Sequence, residues 1–157
     1  MTMTLLPADA PVLSALVFLP LAAAAVTAAL KDELAIRRTA LIAGLLECLL
    51  LLSLLGFKND VVGFQFVESH QWMPAFGMTY ALGVDGLSLL LVALSALLLP
   101  LCVLCSWTYI GSRVKEFHVC LLLMISACVG VFTALDFVLF YIFWEAMLIP
   151  MYLLIAV

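Results

Sequence analysis

The sequence predicts an all-α, polytopic membrane protein with five transmembrane helices, and two observations carry this prediction. The first is composition: 68% of the 157 residues are hydrophobic, 10% are charged, and the mean hydropathy is +1.35. Soluble domains are about 45–50% apolar and about 25% charged, so this surplus of apolar side chains must face lipid. The second is length, because five apolar runs each have about the 17–25 residues that cross a bilayer as a helix.

The five runs form one transmembrane region and cover residues 12–30, 39–57, 86–107, 119–135 and 137–157. Helices are favoured over strands because lipid offers no partner for open backbone groups, and a barrel would need alternating patterning. The first run ends in small residues, as a secretory signal does, but "MTMTLLPADAP" before it has no Lys or Arg. A signal peptide needs a positive leader, so we expect a retained helix. Between the last two runs only Asp136 intervenes, and Asp is a good helix cap.

The basic residues indicate an orientation. The loop between the first two spans and the loop after the third are rich in Lys and Arg, while the leader and the junction before the fifth span have none. Because positive loops stay cytoplasmic, we expect the N-terminus outside and the fifth span running inward. Lys58, in the loop after the second span, is the one exception to the alternation of Lys31, Arg37, Arg38, Arg113 and Lys115.

Residues 58–85 form the one sizeable loop, which this orientation places outside. "VVGFQFV" and "MTYALGV" have strand-type residues and "MPAFG" between them has turn-type residues, so an external hairpin is predicted. Asp85, in "GVDGLS", is interpreted as the cap of the third helix, its carboxylate accepting the first free N–H groups.

No cofactor is expected in this chain. Buried cysteine behaves as a small hydrophobe, and iron–sulfur ligation needs four thiolates in cluster spacing. His70 and His118 lack a second ligand at metal spacing, and no nucleotide-binding glycine motif or P-loop occurs. The cysteines all lie in or beside apolar spans, at Cys48, Cys102, Cys105, Cys120 and Cys128.

Two acids lie inside apolar spans, Glu47 and Glu145. An ionisable group at the bilayer centre costs at least about 2.5 kcal/mol and by default marks an ion or proton path. Glu47 has aliphatic neighbours on its helix face. We interpret it as a protonated acid that is hydrogen-bonded to a neighbouring helix.

Glu145 has more organised surroundings. It lies nine residues after Asp136, about 13.5 Å into the membrane at 1.5 Å per residue. Tyr141 and Tyr152 project from the same helix face, where their hydroxyls can hold water or pass hydrogen bonds. Pro150 has no N–H, which leaves the carbonyl four residues earlier free beside the acid. The pattern predicts a proton site at Glu145; the alternative is that the tyrosines only pack and the proline only bends the helix.

The basic partner of Glu145 is missing from this sequence. All six Lys and Arg residues fall in predicted loops, and an isolated carboxyl in apolar surroundings stays neutral. Proton exchange therefore requires a movable cation from another helix. The last residues, "MYLLIAV", also lack the flanking charge of a span that ends inside, so we expect the N-terminal part of a longer protein.

Four stretches, "GVDGLSLLLV", "PLCVLCSW", "RVKEF" and "ALDFVLFYIFWEAMLIPMYLL", together resemble chain M of bacterial NADH:quinone oxidoreductase, the counterpart of mitochondrial subunit 4 in respiratory complex I. The similarity spans residues 80–157, whereas residues 1–79 match mainly in the layout of spans. The "FWE…PMY" run is specific, because related antiporter-like subunits share "WE" and differ in the residues after it.

The resemblance implies the N-terminal part of an antiporter-like subunit with about fourteen helices in inverted repeats, which translocates protons in the membrane arm. The family's key acid in its fifth helix maps onto Glu145. The family pairs that acid with a lysine on a later, broken helix, beyond this sequence. The implied enzyme is NADH:quinone oxidoreductase, with no redox site in this chain and with FMN, iron–sulfur clusters and quinone in partner subunits.

The expected partners are other membrane-arm subunits, the lipid bilayer and protons, with no nucleic acid. The expected location is the bacterial inner membrane, in preference to the mitochondrial inner membrane. Two other functions remain open: a subunit of a multi-subunit sodium/proton antiporter, which shares this helix plan, and a packing module in which Glu145 is permanently protonated.

Overall fold

The computed structural model describes residues 11–57, 63–73 and 77–156. In this part of the chain five helices and one two-stranded antiparallel hairpin account for the regular structure, apart from a short 3-10 turn at Leu52–Gly56. The helices are α1 (Val12–Ala29), α2 (Glu33–Leu51), α3 (Gly86–Cys105), α4 (Val114–Thr133) and α5 (Phe137–Ala156), and the strands are β1 (Gln65–Met73) and β2 (Met78–Val84). The mostly helical class predicted from the sequence is confirmed.

Two helices begin earlier than the apolar runs indicated. Helix α2 begins at Glu33, not at residue 39, because the Asp32 side chain accepts the Ala35 N–H at 2.9 Å and caps the helix there. Helix α4 begins at Val114, not at residue 119. Hydropathy detects only the apolar part of a helix, whereas backbone hydrogen bonding continues through the polar first turns.

Four of the described helices, α1, α3, α4 and α5, are long and apolar enough to cross a membrane. Helix α2 is equally long, but it carries four charged residues. Three of them, Glu33, Arg37 and Arg38, lie near its start and one, Glu47, lies far inside. It packs against α1, α3 and α4, so its charges are distributed along a helix that belongs to the same bundle.

Helix α4 lies at the centre of the bundle and contacts the other four helices. Its core side chains, such as Leu122 and Val129, are completely buried in one cluster with Leu13 and Leu16 of α1. The Ser126 hydroxyl of α4 also makes a hydrogen bond to α1, donating to the Val17 carbonyl at 2.7 Å.

The predicted hairpin is present, although β1 begins at Gln65, later than the segment 61–67 indicated. Residues 74–76 of the predicted turn and Lys58 lie outside the described residues. Gly77, at φ +66, follows that turn. Such a left-handed conformation is one that glycine adopts readily.

A side chain of the hairpin caps the start of α1, because the residue before α1 provides no cap. Pro11, before the first turn, makes no side-chain cap, whereas Glu68 of β1 accepts the Leu13 N–H at 2.7 Å and the Ser14 N–H at 3.1 Å. The Ser14 hydroxyl also donates to Glu68 and lies 2.9 Å from the Tyr80 hydroxyl of β2. A carboxylate at a helix N-terminus is stabilising, so this contact holds the hairpin on the end of α1.

Helices α3 and α5 begin at the same end with local caps, as predicted. Asp85 accepts the Ser88 N–H at 2.7 Å and Asp136 accepts the Val138 N–H at 2.8 Å. Hydrogen bonds from the Ser88 backbone and side chain hold the pKa of Asp85 below its usual value, and bonds led by the Leu139 N–H do the same to the pKa of Asp136. Both caps are therefore ionised at neutral pH.

We expect Glu68→Ala to lower the stability of the purified protein in detergent by about 1–2 kcal/mol, because two backbone donors and the Ser14 hydroxyl lose their acceptor. Thermal unfolding measures the loss. Glu33→Ala, at an exposed ion pair with Arg37, is the matched control and should change little. Equal unfolding temperatures for the two variants would contradict the capping role of Glu68.

Gly130 of α4 packs directly against Phe143 of α5. A Cβ added there would lie 2.5 Å from the Phe143 ring, so Gly130→Ala should destabilise the protein by about 1–3 kcal/mol through overpacking. The second change Phe143→Ala should relieve the clash and recover part of the Gly130→Ala loss. Gly111→Ala, where the added Cβ meets nothing within 4 Å, is the control. Additive losses in the double variant would refute this packing.

Candidate functional site

Glu145 is carried on α5, whose two faces have different roles. One face packs on α4: Phe143 lies against Gly130, and Met147 Sδ is 3.3 Å from the Cys128 thiol sulfur. Leu139 is buried on the same face. These positions recur at helical spacing, so they fix how α5 is rotated about its own axis.

That rotation turns Glu145 away from the other four helices. The Glu145 side chain is exposed on the surface of the bundle, and so are those of Tyr141 and Tyr152, at 54% and 72%. The Tyr141 side chain lies beside the Glu145 carboxyl, one helical turn earlier on the same face. Tyr152 lies on the same face but seven residues along, about 10.5 Å, which is beyond hydrogen-bond reach of the acid.

Helix α5 is also the most open of the candidate membrane helices. In its most apolar stretch 11% of the residues are buried, against 39%, 33% and 56% in α1, α3 and α4. Large apolar side chains such as Phe137, Ile149 and Ile155 are exposed along it. Because a carboxyl facing lipid is costly, a face that combines an acid with tyrosines suits a protein neighbour better than hydrocarbon.

Pro150 interrupts α5 one turn after the acid. It has no N–H to donate, so the Ala146 carbonyl lacks its usual helical partner. Ala146 is exposed on the bundle surface beside Glu145. The acid and a free carbonyl are therefore adjacent in the chain at the same depth.

Glu47 differs from its sequence interpretation. It is 0% exposed, and within the described part of the chain neither of its carboxyl oxygens has a hydrogen-bond partner. The prediction that it bonds to a neighbouring helix is therefore wrong for the described residues. The buried residues beside it on α2, Ala43 and Gly44, are small and offer no polar side chain.

The two histidines occupy different environments. His118 is fully buried, and its Nδ1 donates to the Val114 carbonyl at 2.8 Å. His70 is exposed on β1 and, with Phe18, Trp72 and Tyr80, helps to line a largely apolar cavity of about 370 Å³ between the hairpin, α1 and α5. Among the residues that the structure describes, no group of three or more His, Cys, Asp or Glu side chains could hold a metal.

A comparison with known protein families identifies a family that the chain matches. Residues 15–131 match the model of the family described as "NADH-ubiquinone oxidoreductase chain 4, amino terminus". The NADH-quinone oxidoreductase subunit M of Rhodobacter capsulatus is 43% identical over an alignment of 154 residues, and the match covers 92% of this chain and 29% of the relative. The F(420)H(2) dehydrogenase subunit M of Methanosarcina mazei is 36% identical over 146 residues, 92% of this chain and 30% of the relative.

Among solved structures, a chain of respiratory complex I from Thermus thermophilus, solved with bound NADH, has a TM-score of 0.71 and 29% identity. The match covers 88% of this chain and 27% of that one. The present chain thus spans less than a third of the length of these relatives. The family model that the chain matches describes the amino terminus of these proteins, and the match covers most of the residues of the present chain. The chain belongs to the family of NADH-quinone oxidoreductase subunit M, also named NADH-ubiquinone oxidoreductase chain 4.

Proposed function

We propose that this chain contributes to proton translocation in the membrane arm of NADH:quinone oxidoreductase and that Glu145 is its intramembrane protonatable site. The observation that carries the proposal is the position of Glu145. It lies in the middle of α5 on a face turned away from the other four described helices, with the Tyr141 hydroxyl beside it.

The energetics of a carboxyl at this depth support a change of protonation state that a nearby cation controls. With no cation nearby the ionised form is disfavoured, so Glu145 holds a proton; an approaching cation favours the ionised form and releases that proton. Withdrawal of the cation reverses the step, and the two groups titrate as a coupled pair. Helix α5 contains no Lys or Arg, so we propose that the cation arrives from a helix that packs on its open face.

The neighbours of Glu145 have supporting roles in this proposal. The Tyr141 hydroxyl orients the carboxyl by a hydrogen bond. Tyr152 and the Ala146 carbonyl that Pro150 leaves free extend the polar stripe along α5 and offer water two further contacts. The proton thus has polar groups on both sides of the acid along one helix face.

Electron transfer belongs to other subunits in this proposal, and FMN, iron–sulfur clusters and quinone are bound there. The relatives support this separation, because they carry the names of an NADH-quinone oxidoreductase and an F(420)H(2) dehydrogenase and yet each resembles this chain over 92% of its length. A subunit common to different electron donors is best suited to work downstream of electron input. Its partners are then the neighbouring membrane-arm subunits and lipid.

We also propose the bacterial inner membrane, with the N-terminus outside. Within the described residues, the basic side chains gather at the end of the bundle opposite the hairpin, where Arg37 donates to the Ile110 carbonyl and Lys115 to the Ala28 carbonyl. Positive ends face the cytoplasm, which directs the hairpin outward.

The sodium/proton antiporter alternative is not favoured, because the relatives are named as dehydrogenase subunits. The packing-module alternative, with Glu145 permanently protonated, predicts a different response to substitution. Gln keeps the shape and hydrogen bonds of a protonated Glu but cannot titrate, so Glu145→Gln separates the two functions.

We expect Glu145→Gln in the intact complex to lower proton pumping per NADH oxidised at least several-fold while the complex still assembles. Pumping is measured in sealed membrane vesicles alongside NADH:quinone activity. Tyr141→Phe, which removes only the hydroxyl, should give a smaller loss. Glu116→Gln, near the start of α4, is the matched control and should pump normally.

Normal pumping by the Glu145→Gln complex would remove this acid from the mechanism and favour the packing role. Equal losses in the Glu145→Gln and Glu116→Gln complexes would point to a general defect of assembly. In that case the specific assignment to α5 would fail.

A further inference from the structure

Glu47 lies on the buried face of α2, toward the end of the helix. Ile36, Ala40, Ala43 and Gly44 are buried on the same helix, and their spacing brings them to one side with Glu47 in line. That side faces α1, α3 and α4, so the carboxyl points into the bundle and is completely enclosed by this chain. Glu145, by contrast, faces outward.

Most of the other buried polar side chains that the structure describes are hydrogen-bonded, and only Thr27 Oγ1 and His118 Nε2 share the unpaired state of the Glu47 oxygens. The hydroxyls of Ser95, Ser126 and Thr133 each donate to a helix carbonyl at 2.9 Å or closer. Within the described residues both Glu47 oxygens are without a partner. Each unpaired buried polar atom costs about 1–3 kcal/mol, and an unpaired carboxylate costs far more. The acid is therefore neutral and still offers one donor and one acceptor.

The helical hydrogen-bond pattern of α3 lacks one donor close to Cys48, the residue after Glu47. Pro100 interrupts α3 and leaves the Ala96 carbonyl without its helical N–H. That carbonyl accepts the Cys48 thiol at 3.2 Å, a weak donor on the residue that follows Glu47. A Cβ on Gly44 would lie 3.0 Å from Pro100, so α2 and α3 are in close contact at this level.

A neutral acid on α2 and an under-satisfied carbonyl on α3 thus lie at the same level of the bundle, where the residue after Glu47 contacts that carbonyl. Proline is tolerated in membrane helices because neighbouring helices, side chains and ordered water satisfy the backbone groups that it frees. Buried water typically makes about three hydrogen bonds to groups that would otherwise be unpaired. Glu47 and the Ala96 carbonyl are two such groups, and they come from different helices.

We propose that Glu47 is a second protonatable site, a neutral acid that holds internal water beside the backbone carbonyl that Pro100 leaves free in α3 and exchanges its proton with that water. The site is separate from Glu145, because the two acids lie on different helices and one faces inward while the other faces outward. It is also independent of the proposed function, since proton exchange at Glu47 does not require turnover.

Infrared spectroscopy of the intact, resting complex tests this site. A protonated carboxyl has a C=O stretch at higher frequency than an amide or carboxylate, and the band moves to lower frequency when the proton is replaced by deuterium. The wild-type complex should show such a band, with the shift appearing on transfer to D2O. Glu47→Gln should abolish it, whereas Glu145→Gln and the exposed Glu33→Gln on the same helix should keep it.

Three results would overturn the proposal: no band lost in the Glu47→Gln complex, a Glu47 band that never shifts in D2O, or the same loss in Glu33→Gln. If Glu47→Gln fails to assemble, Glu47→Asp keeps the acid and should move the band without abolishing it. An unchanged spectrum for Glu47→Asp would then refute the assignment. Normal pumping by Glu145→Gln would leave these results untouched, so the two proposals fail separately.

Discussion

The absence of hydrogen-bonding solvent inside a lipid bilayer is the constraint on which the rest of this structure depends. It accounts for the helices, because every backbone group within the hydrocarbon needs a partner in its own segment. It accounts for the serine and threonine hydroxyls that bond to helix carbonyls within and between helices. Burial of an unpaired charge is costly, so an acid that remains inside the membrane indicates a functional role.

Both membrane acids are placed by packing that surrounds them. Phe143 against Gly130 sets the rotation of α5 and so turns Glu145 outward. Gly44 against Pro100 sets the approach of α2 to α3 and so encloses Glu47 beside the proline-containing part of α3. At the end of the bundle where α1 begins, the hairpin is held against α1 because Glu68 accepts the Leu13 N–H. Glycine and proline therefore determine the surroundings of the acids as much as the acids themselves do.

Much of the fold can be predicted from sequence because its physics is local. Apolar length identifies the helices, and Asp85 and Asp136 cap the helices that they precede. The cap of α1 could not be foreseen, since Glu68 lies 55 residues from Leu13 and the pairing depends on where the hairpin folds back. The environment of Glu47 was missed for the same reason: its neighbours on α3 are distant in sequence. The common face of Tyr141 and Glu145 needed only helical periodicity, but the outward direction of that face required the packing of α5 on α4.

The central claim is that Glu145 changes protonation as a cation approaches and withdraws. The most direct measurement is the infrared difference spectrum between the resting complex and the complex turning over NADH, with the carboxyl band assigned by its displacement in Glu145→Asp. The account predicts that this band loses and regains intensity during turnover. A Glu145 band of constant intensity in both states would contradict it.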